Sequence, residues 1–416
     1  MAQYQLLCLT VGWAHGRSAL VRCFRVMAYP LIEDHLGNIG EHLPKGVVLA
    51  AAGTAGHIYP AVAIAEALRE LGVGESDITF VTSQRKVENE IFSTLSFQRI
   101  DLAVHNLTSR GIIAPAVGVW RLLKGIIALR HRLFELQPGV VVVFGGYISV
   151  VAAIAARSLS IPIVVVETNS VMGKANRLAS RIGDATIAAF GAGNNDSGVP
   201  LRTSVTSFVP TVADRADLVR SLGFVPEDVG ELVTIFGGSL GSRTINDAAI
   251  SMLETQAAQG VKSRRLYYLV VGRRDEDLYK VRLEVLRNTG ELLLTYSGYD
   301  PELFKVVGCS DAVICRSGSN TVAELDYFGT PAILVPLPNS PGDHQVRNAL
   351  WFQDRRLGVV VQDSQCTSAT LDTELSTLLL ATSSFEERAK EARGKTSRTT
   401  DVGVKIAKRL RSNYLH

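Results

Sequence analysis

The most restrictive feature of this 416-residue sequence is an alternation of short apolar runs with helix-length segments, which occurs in two successive series. Each run is almost continuously apolar, as is typical of parallel strands that are covered by helices on both faces. The pattern therefore predicts an α/β fold with two doubly wound, Rossmann-like domains. The predicted strands are residues 46–52, 78–82, 139–144, 161–166 and 185–190 in the first series and residues 232–236, 266–271, 292–295, 312–315, 332–336 and 359–361 in the second.

The predicted domain limits follow from where this pattern breaks. A segment rich in Gly, Asn, Ser, Thr and Pro, residues 191–214, is predicted to end the first domain. Two doubly wound domains that face each other place a ligand site at the carboxyl ends of both sheets. The predicted parts are an N-terminal extension (1–45), a first domain (46–208), a second domain (209–385) and a C-terminal helix that packs back toward the first domain (386–416).

The N-terminal extension contains an apolar run at residues 6–13 but lacks a basic segment before it and a clear cleavage site. It is therefore interpreted as an accessory or poorly ordered extension, or as an over-extended start with Met27 or a later residue as the true beginning, rather than as a signal peptide. No stretch of about 18 uncharged apolar residues occurs, so no transmembrane helix is predicted.

Charge and cysteine content exclude several classes of function. The formal net charge of +3 is small for this length and gives no indication of a nucleic-acid partner. The five cysteines form no CxxC pair and have no Cys/His ligand spacing. This usage favours free thiols in a reducing compartment and argues against both a disulfide framework and a zinc site.

Three turns of small residues follow predicted strands, at residues 53–57, 236–243 and 315–321. Such turns let backbone N–H groups approach an anion, and a helix that starts there favours negative charge. The first lacks the Walker lysine and the dinucleotide glycine spacing, so neither an ATPase nor a nicotinamide enzyme is indicated. Glu324, just inside the helix after the third turn, can accept both hydroxyls of a ribose.

Each turn alone is equally compatible with tight packing, and Glu324 with a partner for the helix dipole. Three such turns in a two-domain frame indicate a nucleotide diphosphate ligand.

Six motifs at and between these turns resemble those of the MurG family of glycosyltransferases, and they occur in the same order. The resemblance runs from about residue 46 to the C-terminus and implies the GT-B arrangement, two Rossmann-like domains facing each other across a cleft. It further implies transfer of N-acetylglucosamine from UDP-N-acetylglucosamine to the C4 hydroxyl of MurNAc in lipid I, with inversion, giving lipid II for peptidoglycan synthesis. No cofactor and no metal are implied. The motifs are residues 52–61, 144–149, 167–177, 237–243, 315–324 and 343–349.

The resemblance also implies roles for individual residues. His57 is the implied general base, a role that suits an imidazole because its pKa is close to neutral pH; the alternative is a histidine that packs or caps a helix. Asn169 and Gln345 are implied to read the sugar hydroxyls, and Tyr147 and Glu167 to line the acceptor cleft. The implied substrate-binding set is Thr54, Ala55, Gly56, Asn169, Ser239, Ser319, Asn320, Thr321, Glu324 and Gln345.

The sequence departs from the family pattern at several positions. Ala55 adds a methyl group to the first turn, Thr168 replaces a glutamine, and valines at 150 and 151 replace a Gly-Pro pair. The family's Asn-Pro-Val-Arg stretch, whose arginine contacts the donor diphosphate, is represented here by residues 209–212, which contain no arginine. Arg202 and Arg215 are the candidate substitutes.

A predicted helix over residues 120–134 combines a wide apolar surface with Trp120 and five basic or histidine positions. A basic amphipathic helix can lie on an anionic leaflet, and Trp favours that interface. A helix that faces the core with a solvated basic rim explains the pattern equally well. Because the MurG family docks its first domain on the membrane near this position, the resemblance implies a peripheral enzyme at the cytoplasmic face of the cell membrane.

Three other functions are compatible with the same fold. The acceptor could be diacylglycerol, as in related glycolipid synthases. The chain could be a UDP-sugar epimerase, although no clear pair of acid and base carboxylates is present for that chemistry. It could also be a non-catalytic module that binds a nucleotide sugar without transferring it.

Overall fold

The structure is a computed structural model, and within the residues that it describes the chain forms two six-stranded parallel sheets with helices packed against them. The predicted α/β fold class is thereby confirmed. The predicted extension over residues 1–45 and the predicted phosphate contact Ser239 lie outside the described residues. The described ranges are residues 46–102, 114–190, 198–238, 240–260, 263–355, 358–383, 385, 387–388 and 402–415.

The first sheet contains β1 (Val47–Ala50), β2 (Ile78–Thr82), β3 (Gln98–Asp101), β4 (Val140–Val143), β5 (Ile163–Glu167) and β6 (Ala185–Ala188). The spatial order is β3-β2-β1-β4-β5-β6, and all neighbouring strands are parallel. The helices of this half are α1 (Ala55–Glu70), α2 (Lys86–Phe92), α3 (Ala114–Leu136), α4 (Gly146–Ser158), α5 (Lys174–Ala179) and the single turn α6 (Thr203–Thr206).

The continuous apolar runs have a direct structural cause, which β1 illustrates. Its side chains alternate between the two faces of the sheet, so that Val47 and Leu49 join one buried layer while Val48 and Ala50 join the other. Because both faces are covered, no position of the strand is left for a polar residue.

The apolar runs of the sequence predict five strands in this half, and the structure contains a sixth, β3. This strand lies at the edge of the sheet and reads Gln-Arg-Ile-Asp, with only Ile100 buried. An edge strand that is covered on one face needs no apolar run, and for this reason the pattern did not reveal it.

The second half contains β7 (Glu231–Phe236), β8 (Arg265–Val270), β9 (Leu293–Ser297), β10 (Ala312–Cys315), β11 (Ala332–Leu334) and β12 (Gly358–Val360). They form a parallel sheet in the order β12-β11-β10-β7-β8-β9. Its helices are α7 (Val212–Ser221), α8 (Arg243–Ala258), α9 (Glu276–Asn288), α10 (Leu303–Cys309), α11 (Ser319–Phe328), α12 (His344–Asp354) and α13 (Ser368–Ala381).

The last helix, α14 (Val402–Tyr414), packs against α1 although some 330 residues separate the two elements. Ile406, Ala407 and Leu410 are buried in the same layer of the first half as Val47 and Leu49. Gly403 packs directly on the first helix, since a Cβ atom there would lie at an ordinary contact distance of 3.4 Å from the carbonyl oxygen of Ala63. The limits given above for the four parts of the chain remain predictions.

The carboxyl-end loops of the two sheets contact each other directly. The Asn320 side chain at the start of α11 donates a hydrogen bond to the carbonyl oxygen of Ala55 at the start of α1, at 3.2 Å. Ser170, after β5, donates to the side-chain oxygen of Asn348 in α12 at 2.8 Å. These contacts bring the predicted motifs of both halves to one cleft. Among the helices of the described ranges, none has the length and apolarity required to span a bilayer.

Candidate active site

His57 lies on the first turn of α1, with its Nδ1 atom 3.3 Å from the carbonyl oxygen of Ala52. The turn after β4 packs on the other side of the ring, where a Cβ atom at Gly145 would lie 3.0 Å from Nε2. Gly145 has a φ of +115°, so this position requires glycine for both backbone and space. Burial lowers the pKa of His57 below its usual value, with the Ala52 carbonyl and Glu167 acting in the opposite direction.

The His57 ring is therefore neutral at neutral pH. When Nδ1 carries the proton and donates it to Ala52, Nε2 presents a lone pair that can accept a proton. This geometry suits a general base.

Glu167 ends β5 and organises the loop that follows it. Its buried carboxylate accepts hydrogen bonds from the backbone N–H groups of Asn169 and Gly173, both at 2.9 Å, and from the side chain of Asn176 at 2.9 Å. Charge-assisted bonds of this kind are among the stronger hydrogen bonds in proteins. Glu167 therefore shapes the loop that presents Asn169, while its predicted place in the acceptor cleft remains a prediction.

Asn348 joins the two residues that were predicted to read the sugar. Its side-chain amide lies 3.4 Å from the Asn169 side-chain oxygen and donates to the Ser317 carbonyl at 3.2 Å. The Ser317 hydroxyl in turn donates to the backbone carbonyl of Gln345 at 2.8 Å, and the Gln345 side chain accepts from the backbone of Leu337. Asn169 and Gln345, which are 176 positions apart in the sequence, thus belong to one hydrogen-bonded network.

Asn348 was not predicted as a site residue, although it lies within the motif at 343–349. It is completely buried and makes its contacts with residues from two other motifs. In the sequence, its position within the motif at 343–349 was the feature that could have identified it as a site residue.

The start of α11 brings further predicted residues to the cleft. Ser319 opens the helix, Asn320 and Thr321 follow in its first turn, and Glu324 lies one turn further on. The Asn320 side-chain oxygen and the Tyr147 hydroxyl are buried and have no hydrogen-bond partner within the described part of the chain. Such buried and unsatisfied polar atoms are suited to contact a bound ligand.

Burial raises the pKa of Glu324 to about 7, and the nearby positive charge of Arg202 lowers it. The Arg202 guanidinium stacks on the ring of Tyr59, 4.0 Å from the ring centroid. Arg202, Tyr59 and Glu324 therefore form one polar cluster between α1 and α11.

The two arginines that sequence analysis left as candidates have different surroundings. Arg215 pairs with Asp311 at 2.7 Å and donates to the backbone carbonyls of Cys309 and Gly230, so its guanidinium stabilises the second half of the fold. Arg202 is instead the arginine beside Glu324. Residues 199–202 read Val-Pro-Leu-Arg and keep both the proline and the arginine of the family pattern, which residues 209–212 do not.

The turn after β7 is tightly packed. A Cβ atom at Gly241 would lie 2.2 Å from the carbonyl oxygen of Val271, and one at Gly237 would lie 2.2 Å from the backbone nitrogen of Ser242. Gly237 and Gly241 are thus required for packing. No group of three or more possible metal ligands is found among the described residues.

Family models match almost all of the two sheets. The model described as the glycosyltransferase family 28 N-terminal domain matches residues 47–187, and the model described as the family 28 C-terminal domain matches residues 232–404. The chain therefore belongs to glycosyltransferase family 28.

The names of similar proteins indicate which enzyme of glycosyltransferase family 28 this chain resembles. A protein of Corynebacterium jeikeium is 31% identical over 336 residues, which cover 80% of this chain and 87% of the relative. One of Mycolicibacterium paratuberculosis is 32% identical over 365 residues, which cover 83% of each. Both are named UDP-N-acetylglucosamine–N-acetylmuramyl-(pentapeptide) pyrophosphoryl-undecaprenol N-acetylglucosamine transferase, the MurG enzyme. The predicted relationship to the MurG family is confirmed.

Solved structures support the same fold. MurG of Acinetobacter baumannii superimposes with a TM-score of 0.65 at 24% identity, covering 89% of this chain and all of that chain. A UDP-GlcNAc 2-epimerase of Neisseria meningitidis superimposes with a TM-score of 0.58 at only 12% identity, which indicates a common fold and no more.

We predict that Glu324 titrates at a pH of about 7 in the unliganded protein, and that Arg202→Met raises this pKa further, because the guanidinium charge favours the carboxylate. Carbon-13 NMR of labelled glutamate side chains measures both values. Arg220→Met is the control, since Arg220 is an exposed residue that pairs with Asp217. A Glu324 pKa near 4.5, or an Arg202 variant with an unchanged value, would contradict the prediction.

Proposed function

We propose that this chain transfers N-acetylglucosamine from UDP-N-acetylglucosamine to the C4 hydroxyl of MurNAc in lipid I, with inversion, and so produces lipid II. The chain is a UDP-N-acetylglucosamine-dependent glycosyltransferase of the MurG type. The observation that carries the proposal is the convergence of His57, the Asn169–Asn348–Gln345 network and Glu324 on one cleft. Residues from both sheets are needed to build that cleft.

In this mechanism His57 removes the proton from the C4 hydroxyl of the acceptor. The oxygen then attacks the anomeric carbon of the donor from the face opposite to UDP. A new C–O bond forms, the bond between the anomeric carbon and the phosphate oxygen breaks, and UDP leaves with that electron pair. The lowered pKa of His57 supports the role, because the ring is then neutral and able to accept the proton.

The donor is held mainly by the second half of the cleft. The N-terminus of α11, with Ser319, Asn320 and Thr321, and the Arg202 guanidinium would stabilise the diphosphate as charge develops on it. Glu324 would accept the ribose hydroxyls, and Asn169 and Gln345 would read the sugar.

The turn of Thr54, Ala55 and Gly56 would meet the diphosphate of the acceptor at the start of α1, and Tyr147 and Glu167 would line the same acceptor side. Ser239 is proposed as a further phosphate contact from the family motif alone. The reaction as proposed uses no cofactor and involves no nucleic acid.

The proposed function is tested by supplying radiolabelled UDP-N-acetylglucosamine with either lipid I or diacylglycerol in detergent, followed by analysis of the lipid product. We expect a labelled product with lipid I alone, since the motifs around Glu167 and Gln345 are those of the peptidoglycan enzyme. Product with diacylglycerol instead would identify a glycolipid synthase. UDP binding without either product would identify a binding module, and both results would overturn the proposal.

We predict that His57→Ala lowers kcat with lipid I by about 10²–10⁴-fold, the usual effect of removing a well-placed base. The affinity for UDP, measured by calorimetry, should change little, because the proposed nucleotide contacts come from Arg202 and α11 and not from His57. Arg220→Ala is the control, since Arg220 is exposed on α7 of the second half and pairs with Asp217. Near-normal turnover in the His57 variant would exclude the base assignment.

The exposed face of α3 supports docking on a membrane. Leu129 and Leu133 are fully buried in the hydrophobic core of the first half. The helix also exposes Trp120, Ile127 and Phe134 to solvent, with exposed fractions of 56%, 67% and 64%. Lys124 stacks on the Trp120 ring at 3.9 Å. A helix that served only to cover the core would not need this second apolar face. Basic side chains flank it at Arg121, Lys124, Arg130 and Arg132.

We propose that this face binds the anionic cytoplasmic leaflet of the cell membrane, where the polyprenyl chain of the acceptor is embedded. The protein would then be peripheral, and docking would deliver the acceptor head group to the cleft.

We predict that Ile127→Asp weakens binding to vesicles of phosphatidylglycerol and phosphatidylcholine by at least about tenfold, because burying an isoleucine contributes about 1.5–3 kcal/mol. Co-sedimentation measures the effect. Val281→Asp is the control, since Val281 is 72% exposed on α9 of the second half. Equal losses in the two variants, or none in the first, would argue against this surface.

A further inference from the structure

Glu88 in α2 is a completely buried acidic residue that does not belong to the candidate active site. Its Oε1 atom accepts hydrogen bonds from the backbone N–H of Gly53 at 2.7 Å and from the Ser83 hydroxyl at 2.6 Å. Its Oε2 atom accepts from the backbone N–H groups of Ser83 at 2.7 Å and Arg85 at 3.3 Å. Four donors therefore converge on one carboxylate.

These donors belong to two different loops at the carboxyl edge of the first sheet. Gly53 follows β1, and Ser83 follows β2, the strand paired beside it. Glu88 thus ties the two loops to each other. Arg85 adds a contact on the outer side, where its guanidinium donates to the carbonyl oxygen of Gly53 at 3.5 Å.

Gly53 is the residue that determines how the chain enters α1. Its φ of +98° is a conformation that L-residues with side chains rarely adopt. The next residue, Thr54, is the N-cap of α1 but makes no side-chain capping bond. The first turn of α1 is therefore positioned by the Gly53–Glu88 bond, and the leading N–H groups of the helix have no side-chain cap at Thr54.

The path of the chain at Gly53 affects both the contacts to the acceptor and the position of the proposed base, His57. His57 is on the first turn of α1, four residues after Gly53. A change in the path of the chain at Gly53 moves the imidazole and the α1 N-terminus together. Within the described part of the chain, the residues proposed to hold the donor, such as Arg202, Glu324 and Gln345, make no hydrogen bond to Glu88, whose partners are Gly53, Ser83 and Arg85.

We infer that Glu88 is a positioning residue for the acceptor half of the reaction. It fixes the first turn so that His57 and the N–H groups of Thr54, Ala55 and Gly56 meet a phosphate-linked sugar alcohol at the correct distance. The inference rests on the proposed function. A positioning role differs from a purely structural role in its effect. Loss of Glu88 should lower turnover of the acceptor while the affinity for the donor nucleotide stays the same.

The test is Glu88→Gln, which keeps the volume of the side chain but replaces one acceptor oxygen with an N–H₂ donor. An amide cannot accept at both positions, so one of the two loops must shift. We expect kcat/KM for lipid I to fall by about tenfold to a hundredfold, the effect of a displacement of about 1 Å at a reacting group. UDP affinity by calorimetry should stay within about twofold of the wild-type value.

Asp311→Asn is the matched control. Asp311 is also a buried carboxylate, and it accepts from the backbone N–H groups of Leu232 and Phe385 in the second half. This variant should lower the melting temperature without an effect specific to the acceptor. Ser83→Ala provides a second test that removes only one donor and should reduce acceptor turnover in the same direction by a smaller factor.

Amide hydrogen exchange provides a readout that does not depend on activity. In Glu88→Gln, exchange should accelerate at residues 54–58 and remain unchanged in β7 and β8. Wild-type acceptor turnover, or parallel losses of UDP affinity and acceptor turnover, would overturn the inference. Absence of transfer to lipid I by the wild-type protein would instead contradict the proposed function, while the exchange result would still decide the role of Glu88.

Discussion

The burial of both faces of each parallel sheet is the constraint on which the rest of this structure depends. It requires strand after strand of apolar residues, and it requires each connection to cross over as a helix. All carboxyl ends of a sheet consequently lie at one edge, where polar and glycine-rich loops are the only places left for chemistry. His57, Glu167 and Glu324 come from three different crossovers and two different sheets. They meet because the two carboxyl edges face each other, as the Asn320–Ala55 bond demonstrates.

The sequence was sufficient to predict the double α/β pattern and the three turns of small residues, because these depend on local composition. The other motifs that line the cleft were predicted from the resemblance to the MurG family. It did not reveal β3, whose single buried residue leaves no periodic pattern. Nor did it identify Asn348 or Glu88, whose importance depends on partners in other loops. The bond from Ser170 to Asn348 spans 178 positions, and no local pattern encodes such a contact.

Arg202 and Arg215 illustrate how surroundings separate residues of the same type. Both lie near the junction of the two halves and carry the same charge. Arg215 is neutralised by Asp311 and by backbone carbonyls, so it contributes to the fold. Arg202 stacks on the Tyr59 ring beside Glu324, whose pKa is raised by burial. Only the three-dimensional contacts distinguish a structural arginine from a candidate ligand.

The packing of α14 on α1 has a consequence for how the protein is made. The helix that carries His57 belongs to the beginning of the chain, but the layer beneath it is completed by Ile406 and Leu410 near the end. Domains generally fold in the order in which they are synthesised. Here the first half cannot close its core until α14, some 330 residues downstream of α1, has left the ribosome. A product that ended before α14 would therefore leave the helix that carries His57 incompletely packed, so that the synthesis of α14 is coupled to the formation of the candidate active site.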